Sequence, residues 1–96
     1  MLDDFLKYQA KTNPHPLGLE IKHASGSYLY DTKGKSYLDF VAGVSALPLG
    51  HSHPKVVTAL KSQIDKYMHV MVYGEFAQAP AVSLCKTLVK LLPENH

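Results

Sequence analysis

The fold of this chain is constrained most by one stretch, Gly26 to Pro54, which reads GSYLYDTKGKSYLDFVAGVSALPLGHSHP. Two β-prone runs flank DTKGK, where Asp31 can hydrogen-bond the nearby backbone and Gly34 can supply a positive φ. Apolar and polar residues also alternate over 19–23, the pattern of a half-buried strand. Together these signals predict three short antiparallel strands within 19–40. Such a sheet has an apolar face that must be covered.

Amphipathic patterns predict helices on both sides of this sheet. Residues 2–11 carry apolar side chains at helical spacing, and a second pattern begins at Pro54, a residue suited to the first turn of a helix. Its apolar stripe consists of Val57, Leu60, Ile64 and Tyr67, and most simply covers the sheet. A third pattern contains Cys85, which we interpret as a small core residue rather than a nucleophile.

The predicted fold class is α+β, with an N-terminal helix, a three-stranded antiparallel sheet and two amphipathic helices. The length of 96 residues allows one domain at most. The predicted segments are a lead-in helix and linker (1–18), the sheet (19–40), a loop (41–53), a helix (54–68), a connector (69–77) and a helix (78–92).

Charge and composition exclude several classes of partner. The net charge is +2, and the ten basic residues are scattered lysines, so we expect no nucleic-acid partner. The chain has no arginine, the residue best suited to hold a carboxylate or phosphate in a bidentate manner. The longest weakly polar run, 40–50, is too short to span a membrane, so no membrane partner is expected. A single cysteine and an acidic N-terminus favour a cytoplasmic protein.

Few side chains form a pattern typical of a reactive site. His51 and His53 have the spacing of metal ligands, but further ligands are not placed by the sequence. A turn in which one imidazole bonds the local backbone is the simpler interpretation. Turn and strand-end hydrogen bonds likewise explain Asp31 and Asp39 better than catalysis does. Cross-strand packing explains the tyrosines of the sheet, Tyr28, Tyr30 and Tyr37, more simply than a ligand platform does. We therefore predict no catalytic residue, no cofactor-binding residue and no metal ligand.

An ordered series of motifs resembles the start of the class III, pyridoxal-phosphate-dependent aminotransferases. This group includes acetylornithine, ornithine and 4-aminobutyrate aminotransferases. The motifs are Gly-x-Tyr-Leu-Tyr-Asp at 26–31, Gly-Lys-x-Tyr-Leu-Asp-Phe at 34–40, a small-residue loop at 43–47, and Leu-Gly-His-x-His-Pro-x-Val at 49–56. Residues 17–20 and 71–76 also look like this family, so the resemblance covers nearly the whole chain.

The resemblance implies a fold-type I enzyme several times this length, with residues 1–96 as the N-terminal part of its small domain. By that analogy the loop at 43–46 lines the substrate entrance, so Val44 and Ser45 are the predicted substrate contacts. Tyr73, near the dimer interface, is a third candidate. Ornithine-specific members resemble this loop but carry a tyrosine where Val44 stands.

The activity implied by the resemblance is transfer of an amino group from an amino acid to a 2-oxo acid such as 2-oxoglutarate. The donor would carry an ω- or side-chain amine, as acetylornithine-like substrates do, and the enzyme would be a homodimer with pyridoxal phosphate. In the family, the lysine, carboxylate and phosphate-binding helix for this cofactor lie beyond the matched segment. We therefore expect the 96 residues alone to bind no pyridoxal phosphate, to be inactive, and to pack on the remainder of their own polypeptide. The alternative is a stand-alone, non-enzymatic dimerisation or interaction module.

Overall fold

A computed structural model describes residues 1–94, in four helices and three strands. Asn95 and His96, the end of the predicted segment 1–96, lie outside the described residues. The helices are α1 (Leu2–Tyr8), α2 (Ala42–Ser45), α3 (Pro54–Lys66) and α4 (Ala79–Leu91), and the strands are β1 (Ile21–Ser25), β2 (Tyr28–Asp31) and β3 (Ser36–Leu38). The described residues form two compact units, one over 1–62 and a second that begins at residue 63.

The three strands form one antiparallel sheet in the order β1-β2-β3. Tyr28 pairs with Ser25 on one side and with Leu38 on the other, and a bulge interrupts β1 between Ile21 and His23. The predicted α+β class and its three-stranded antiparallel sheet are therefore confirmed.

The hairpin turn between β2 and β3 is organised by one carboxylate. Asp31 Oδ1 accepts hydrogen bonds from the backbone N–H groups of Lys33 and Lys35, each at 2.9 Å. Asp31 Oδ2 accepts a third bond, at 2.9 Å, from the Tyr37 hydroxyl. Gly34 has a φ of 84°, the left-handed conformation that glycine adopts without a side-chain penalty.

Helix α1 lies beside the segment that leads into β1. The backbone N–H of Leu2 donates to Glu20 Oε1 at 2.6 Å, and a Cβ placed on Gly18 would lie 3.1 Å from Leu2 Cδ1. The carbonyl of Glu20 accepts from the Thr32 N–H at 3.0 Å, which connects this segment to the end of β2. The helix ends at Tyr8, earlier than the pattern over 2–11 predicts, because the proline-rich link follows.

Two packing expectations are wrong. The apolar stripe of α3 does not cover the sheet, since Leu60 and Ile64 are each 57% exposed and the strands contact one another but not this helix. Cys85 on α4 is exposed rather than a core residue. Among residues 1–94 no hydrophobic side chain is buried. In the same range, no helix is both long and apolar enough to cross a membrane.

Candidate functional site

The loop from Asp39 to His51, called here the clasped loop, begins against Ser27 and ends against its neighbour Gly26. The Asp39 N–H donates to the carbonyl of Ser27 at 2.8 Å. His51 exchanges both backbone hydrogen bonds with Gly26, at 2.8 and 3.0 Å. The turn between β1 and β2 therefore fixes both ends of the loop.

A side-chain pair joins the two ends a second time. Asp39 Oδ2 lies 2.5 Å from His51 Nε2, and the side chains are 6% and 15% exposed. The bond with His51, followed by those from the backbone N–H groups of Ala42 and Val41, lowers the pKa of Asp39 below its ordinary value of 3.8. Asp39 is therefore an ionised carboxylate at neutral pH, fully engaged in holding the loop.

The clasped loop contains a left-handed turn, α2. The φ angles of Ala42, Gly43, Val44 and Ser45 are 50°, 62°, 61° and 63°. Each non-glycine residue in this conformation costs about 1–2 kcal/mol, so the three in α2 cost roughly 3–6 kcal/mol. A β-branched residue such as Val44 is rarely found there. Strain of this kind persists where surrounding contacts impose it, and it occurs often at functional sites.

Hydrogen bonds at the start of α2 supply those contacts. The second oxygen of Asp39, Oδ1, accepts from the N–H groups of Val41 at 2.8 Å and Ala42 at 3.1 Å. Within the turn, the Ser45 N–H donates to the Val41 carbonyl at 3.1 Å, and the Ala46 N–H donates to the Ala42 carbonyl at 2.9 Å. One carboxylate thus closes the loop and also anchors its strained turn.

The structure places the predicted substrate contacts as follows. Val44 and Ser45 lie in α2, where Val44 is 85% exposed and Ser45 is also exposed. Tyr73 lies in the second unit, in the segment between α3 and α4, and is 73% exposed. The structure thus brings Val44 and Ser45 together on one turn.

A small cavity of about 150 Å³ lies between the β1–β2 turn and the clasped loop. It is lined by Gly26, Ser27, Asp39, Ala42, Leu47, Pro48, Gly50 and His51. A carboxylate–imidazole pair can move protons in principle, but both oxygens of Asp39 are bonded to its neighbours. The arrangement is therefore suited to hold the loop rather than to do acid–base chemistry.

The two histidines considered as metal ligands have separate roles. His51 Nε2 is paired with Asp39, whereas His53 Nδ1 accepts a hydrogen bond from the Lys55 N–H at 3.2 Å, at the start of α3. Within residues 1–94, no three side chains of the ligating types come together as a metal would need. In the sheet, the rings of His23 and Tyr30 stack with centroids 4.4 Å apart, as cross-strand neighbours.

Sequence reasoning missed the pairing of Asp39 with His51, because it explained each residue by bonds close to it in the chain. A usable signal exists. A carboxylate at the end of a strand and a histidine before a helix-opening proline flank a run of small residues. Two polar side chains that flank a short, small-residue loop are well placed to meet when the ends of the loop come together.

Comparison with known proteins identifies the family. Residues 8–96 match the family model described as aminotransferase class-III. The chain belongs to the class III aminotransferases. It is 54% identical over 52 residues to an acetylornithine aminotransferase of Synechocystis, covering 54% of this chain and 12% of the relative. It is 35% identical over 96 residues to an isoleucine 2-epimerase of Lentilactobacillus buchneri, covering 99% of this chain and 21% of the relative.

Solved structures of aminotransferases share this fold. The adenosylmethionine-8-amino-7-oxononanoate aminotransferase of Methanocaldococcus jannaschii matches 97% of this chain with a TM-score of 0.81 and 29% identity. The N-acetylornithine aminotransferase of Stenotrophomonas maltophilia matches 94% with a TM-score of 0.76 and 28% identity. In both cases the matched part is 22% of the solved chain. The 96 residues therefore span about a fifth of the length of these proteins.

Class III aminotransferases depend on pyridoxal phosphate, and residues 1–94 do not form a site for it. The cofactor needs a lysine amine in a desolvated environment and donors for its phosphate. All ten lysines are exposed, and the sequence has no arginine. The contribution of this segment is therefore its fold and the clasped loop.

Proposed function

We propose that this chain is the N-terminal segment of a pyridoxal-phosphate-dependent aminotransferase. The enzyme transfers an amino group from an amino acid to a 2-oxo acid such as 2-oxoglutarate. The observation that carries the proposal is the family match over residues 8–96, together with the agreement in fold over 94–97% of the chain. The 96 residues alone are inactive in this proposal, since residues 1–94 place no lysine in the desolvated environment that the cofactor needs.

The proposed donor is an amino acid with an ω- or side-chain amine, of the acetylornithine type. Val44 and Ser45 contact the donor side chain, because α2 presents them outward on a fixed turn. Tyr73 is a third proposed contact. The valine at position 44 favours an acylated donor over free ornithine, since an apolar side chain gives an ammonium group no hydrogen-bond partner.

The proposed partners are the remainder of the polypeptide and a second copy in a homodimer, in the cytoplasm. The exposed apolar faces support this proposal. On α4, Val82, Leu88 and Val89 are 46%, 52% and 54% exposed, although they follow the spacing of a helix face that is normally buried. Exposed apolar area of this kind is typical of a surface that another part of a protein covers.

A second candidate is amino-acid epimerisation, favoured by the match of the isoleucine 2-epimerase to 99% of this chain. An epimerase returns a proton to the opposite face of the same amino acid and needs no acceptor. A transferase must pass its amino group to a 2-oxo acid. Dependence on the oxo acid therefore separates the two activities.

The test uses the protein as its own gene encodes it, supplied with pyridoxal phosphate. We expect glutamate to form from N-acetylornithine only when 2-oxoglutarate is present. Inversion of isoleucine without an oxo acid would instead establish the epimerase. If the protein shows neither activity and forms a stable dimer of 10.6 kDa chains, the result would favour the stand-alone interaction module.

A substitution tests the proposed role of Val44. We expect Val44→Tyr to lower kcat/KM for N-acetylornithine by about tenfold and to change kcat/KM for ornithine less, because the larger side chain narrows the space for the acyl group. Val41→Tyr is the matched control, since Val41 is 64% exposed but precedes the left-handed turn. Equal losses for both donors in Val44→Tyr would contradict the contact.

A further inference from the structure

We propose that Asp39 is a positioning residue that holds α2 in its left-handed form and so sets the donor preference of the clasped loop. This inference rests on the proposed function, in which Val44 and Ser45 contact the donor. Asp39 itself does not touch the donor. Its effect passes through the backbone of the turn.

The geometry assigns this role to one side chain. Asp39 Oδ1 accepts from Val41 N–H and Ala42 N–H, the two backbone donors at the start of the turn. Asp39 Oδ2 pairs with His51, whose backbone is bonded to Gly26. The turn is thereby connected through a single carboxylate to the end of the sheet.

The left-handed form needs such a connection because its residues do not favour it. Apart from Gly43, the residues of α2 prefer negative φ, and a change of hand would turn the side chains of Val44 and Ser45 in another direction. The hydrogen bonds inside the turn, donated by the N–H groups of Ser45 and Ala46, join residues 41–46 to one another and do not connect the turn to the sheet. The bonds to Asp39 lie at the one end where the turn meets a fixed part of the chain.

Asp31 provides a matched control in the same unit. Its Oδ1 also accepts from two backbone N–H groups, those of Lys33 and Lys35, and its Oδ2 also pairs with a side chain, Tyr37. It organises the β2–β3 hairpin instead of the clasped loop. Loss of either carboxylate removes three hydrogen bonds, but only the loss of the Asp39 carboxylate should release α2.

The first readout is amide hydrogen exchange in the protein as its gene encodes it. We expect Asp39→Ala to speed exchange at Ser45 and Ala46, whose N–H groups bond within the turn, by about tenfold or more. Asp31→Ala should leave these two amides within about twofold of the unsubstituted protein. Asp39→Asn retains an oxygen that can accept from Val41 and Ala42, so it should preserve most of the protection.

The second readout is donor preference. We expect Asp39→Ala to change the ratio of kcat/KM for N-acetylornithine and ornithine by about fivefold or more, whereas Asp31→Ala leaves this ratio unchanged. Asp39→Asn should largely restore this ratio. General destabilisation of the protein would not explain such a recovery.

The outcomes separate the two proposals. The role of Asp39 in holding the turn would be overturned if Asp39→Ala left amide exchange at Ser45 and Ala46 unchanged. It would also be overturned if Asp31→Ala sped exchange at these two amides as much as Asp39→Ala does. Faster exchange with an unchanged donor ratio would overturn its role in specificity. A protein that transfers no amino group at all would refute the proposed function and, with it, any role in donor preference, while exchange would still decide whether Asp39 holds the turn.

Discussion

Gly50 lies so close to Gly26 that a Cβ on Gly50 would be 3.0 Å from the Gly26 carbonyl oxygen. Gly50 also has a φ of 81°, a left-handed conformation that residues with a side chain rarely adopt. The next residue, His51, forms the backbone bridge to Gly26 and pairs with Asp39. The clasped loop can therefore close because Gly50 has no side chain at the point where it meets the backbone of Gly26.

Gly50→Ala should destabilise the first unit more than an alanine at another positive-φ glycine does. The control is Gly34→Ala, since Gly34 has a φ of 84° but open space where a Cβ would lie. We expect a loss of about 1–2 kcal/mol for Gly34→Ala from its backbone alone and a larger loss for Gly50→Ala, which adds a contact with backbone atoms. Urea unfolding followed by circular dichroism measures both, and equal losses would show that the close approach is unimportant.

Acid should weaken the clasped loop through Asp39. The pKa of this carboxyl is lowered in the folded chain, so its contribution is present above the unfolded value near 3.8 and is lost as pH falls through the lowered value. The stability difference between the unsubstituted protein and Asp39→Asn should therefore shrink between about pH 5 and pH 2. Urea midpoints over this range test the prediction, which a constant difference would contradict.

Alkali should weaken the hairpin through Tyr37. Its hydrogen bond to Asp31 raises the pKa of the Tyr37 hydroxyl above 10.0. The contribution is therefore present below the unfolded pKa and is lost as pH rises through the raised value. Tyr37→Phe should lower the free energy of unfolding at pH 7. It should also remove the fall in stability that ionisation of the Tyr37 hydroxyl causes at high pH. A variant as stable as the unsubstituted protein at neutral pH would show that the bond contributes nothing.

Loss of the Glu20 carboxylate should release α1. The carboxylate accepts from the Leu2 N–H, and an isolated helix of seven residues is marginal in water. We expect Glu20→Ala to speed amide exchange at Phe5 by several fold, and Glu20→Gln to have a smaller effect because it keeps an acceptor oxygen. Asp4→Ala, on the same helix but away from this bond, is the control. Similar exchange in Glu20→Ala and Asp4→Ala would contradict the attachment.

The sequence predicts the hairpin well because its determinants are local. Asp31 and Gly34 lie within the turn that they specify, so residue type alone indicates the geometry. The left-handed turn in the predicted loop 41–53 could not be predicted in the same way. Its residues, apart from Gly43, do not favour positive φ, and the side chain that anchors them is bonded to His51, twelve positions away in the sequence.

The packing of α3 shows a second limit. Periodicity correctly identifies Leu60 and Ile64 as part of an apolar face, but it does not say which surface covers that face. The sequence favours the nearby sheet as the partner of this face, but the strands do not contact α3. The proposed contacts at Val44, Ser45 and Tyr73 rest on resemblance, because contact with a donor leaves no pattern in the spacing of residues.

The measurement that tests the central claim most directly is the size and cofactor content of the polypeptide that carries these residues in its own cells. After borohydride reduction, mass spectrometry should find a polypeptide several times larger than 10.6 kDa, with a phosphopyridoxyl group on a lysine outside residues 1–96. A 10.6 kDa polypeptide without that group, or the group on one of the ten exposed lysines of residues 1–96, would contradict the account.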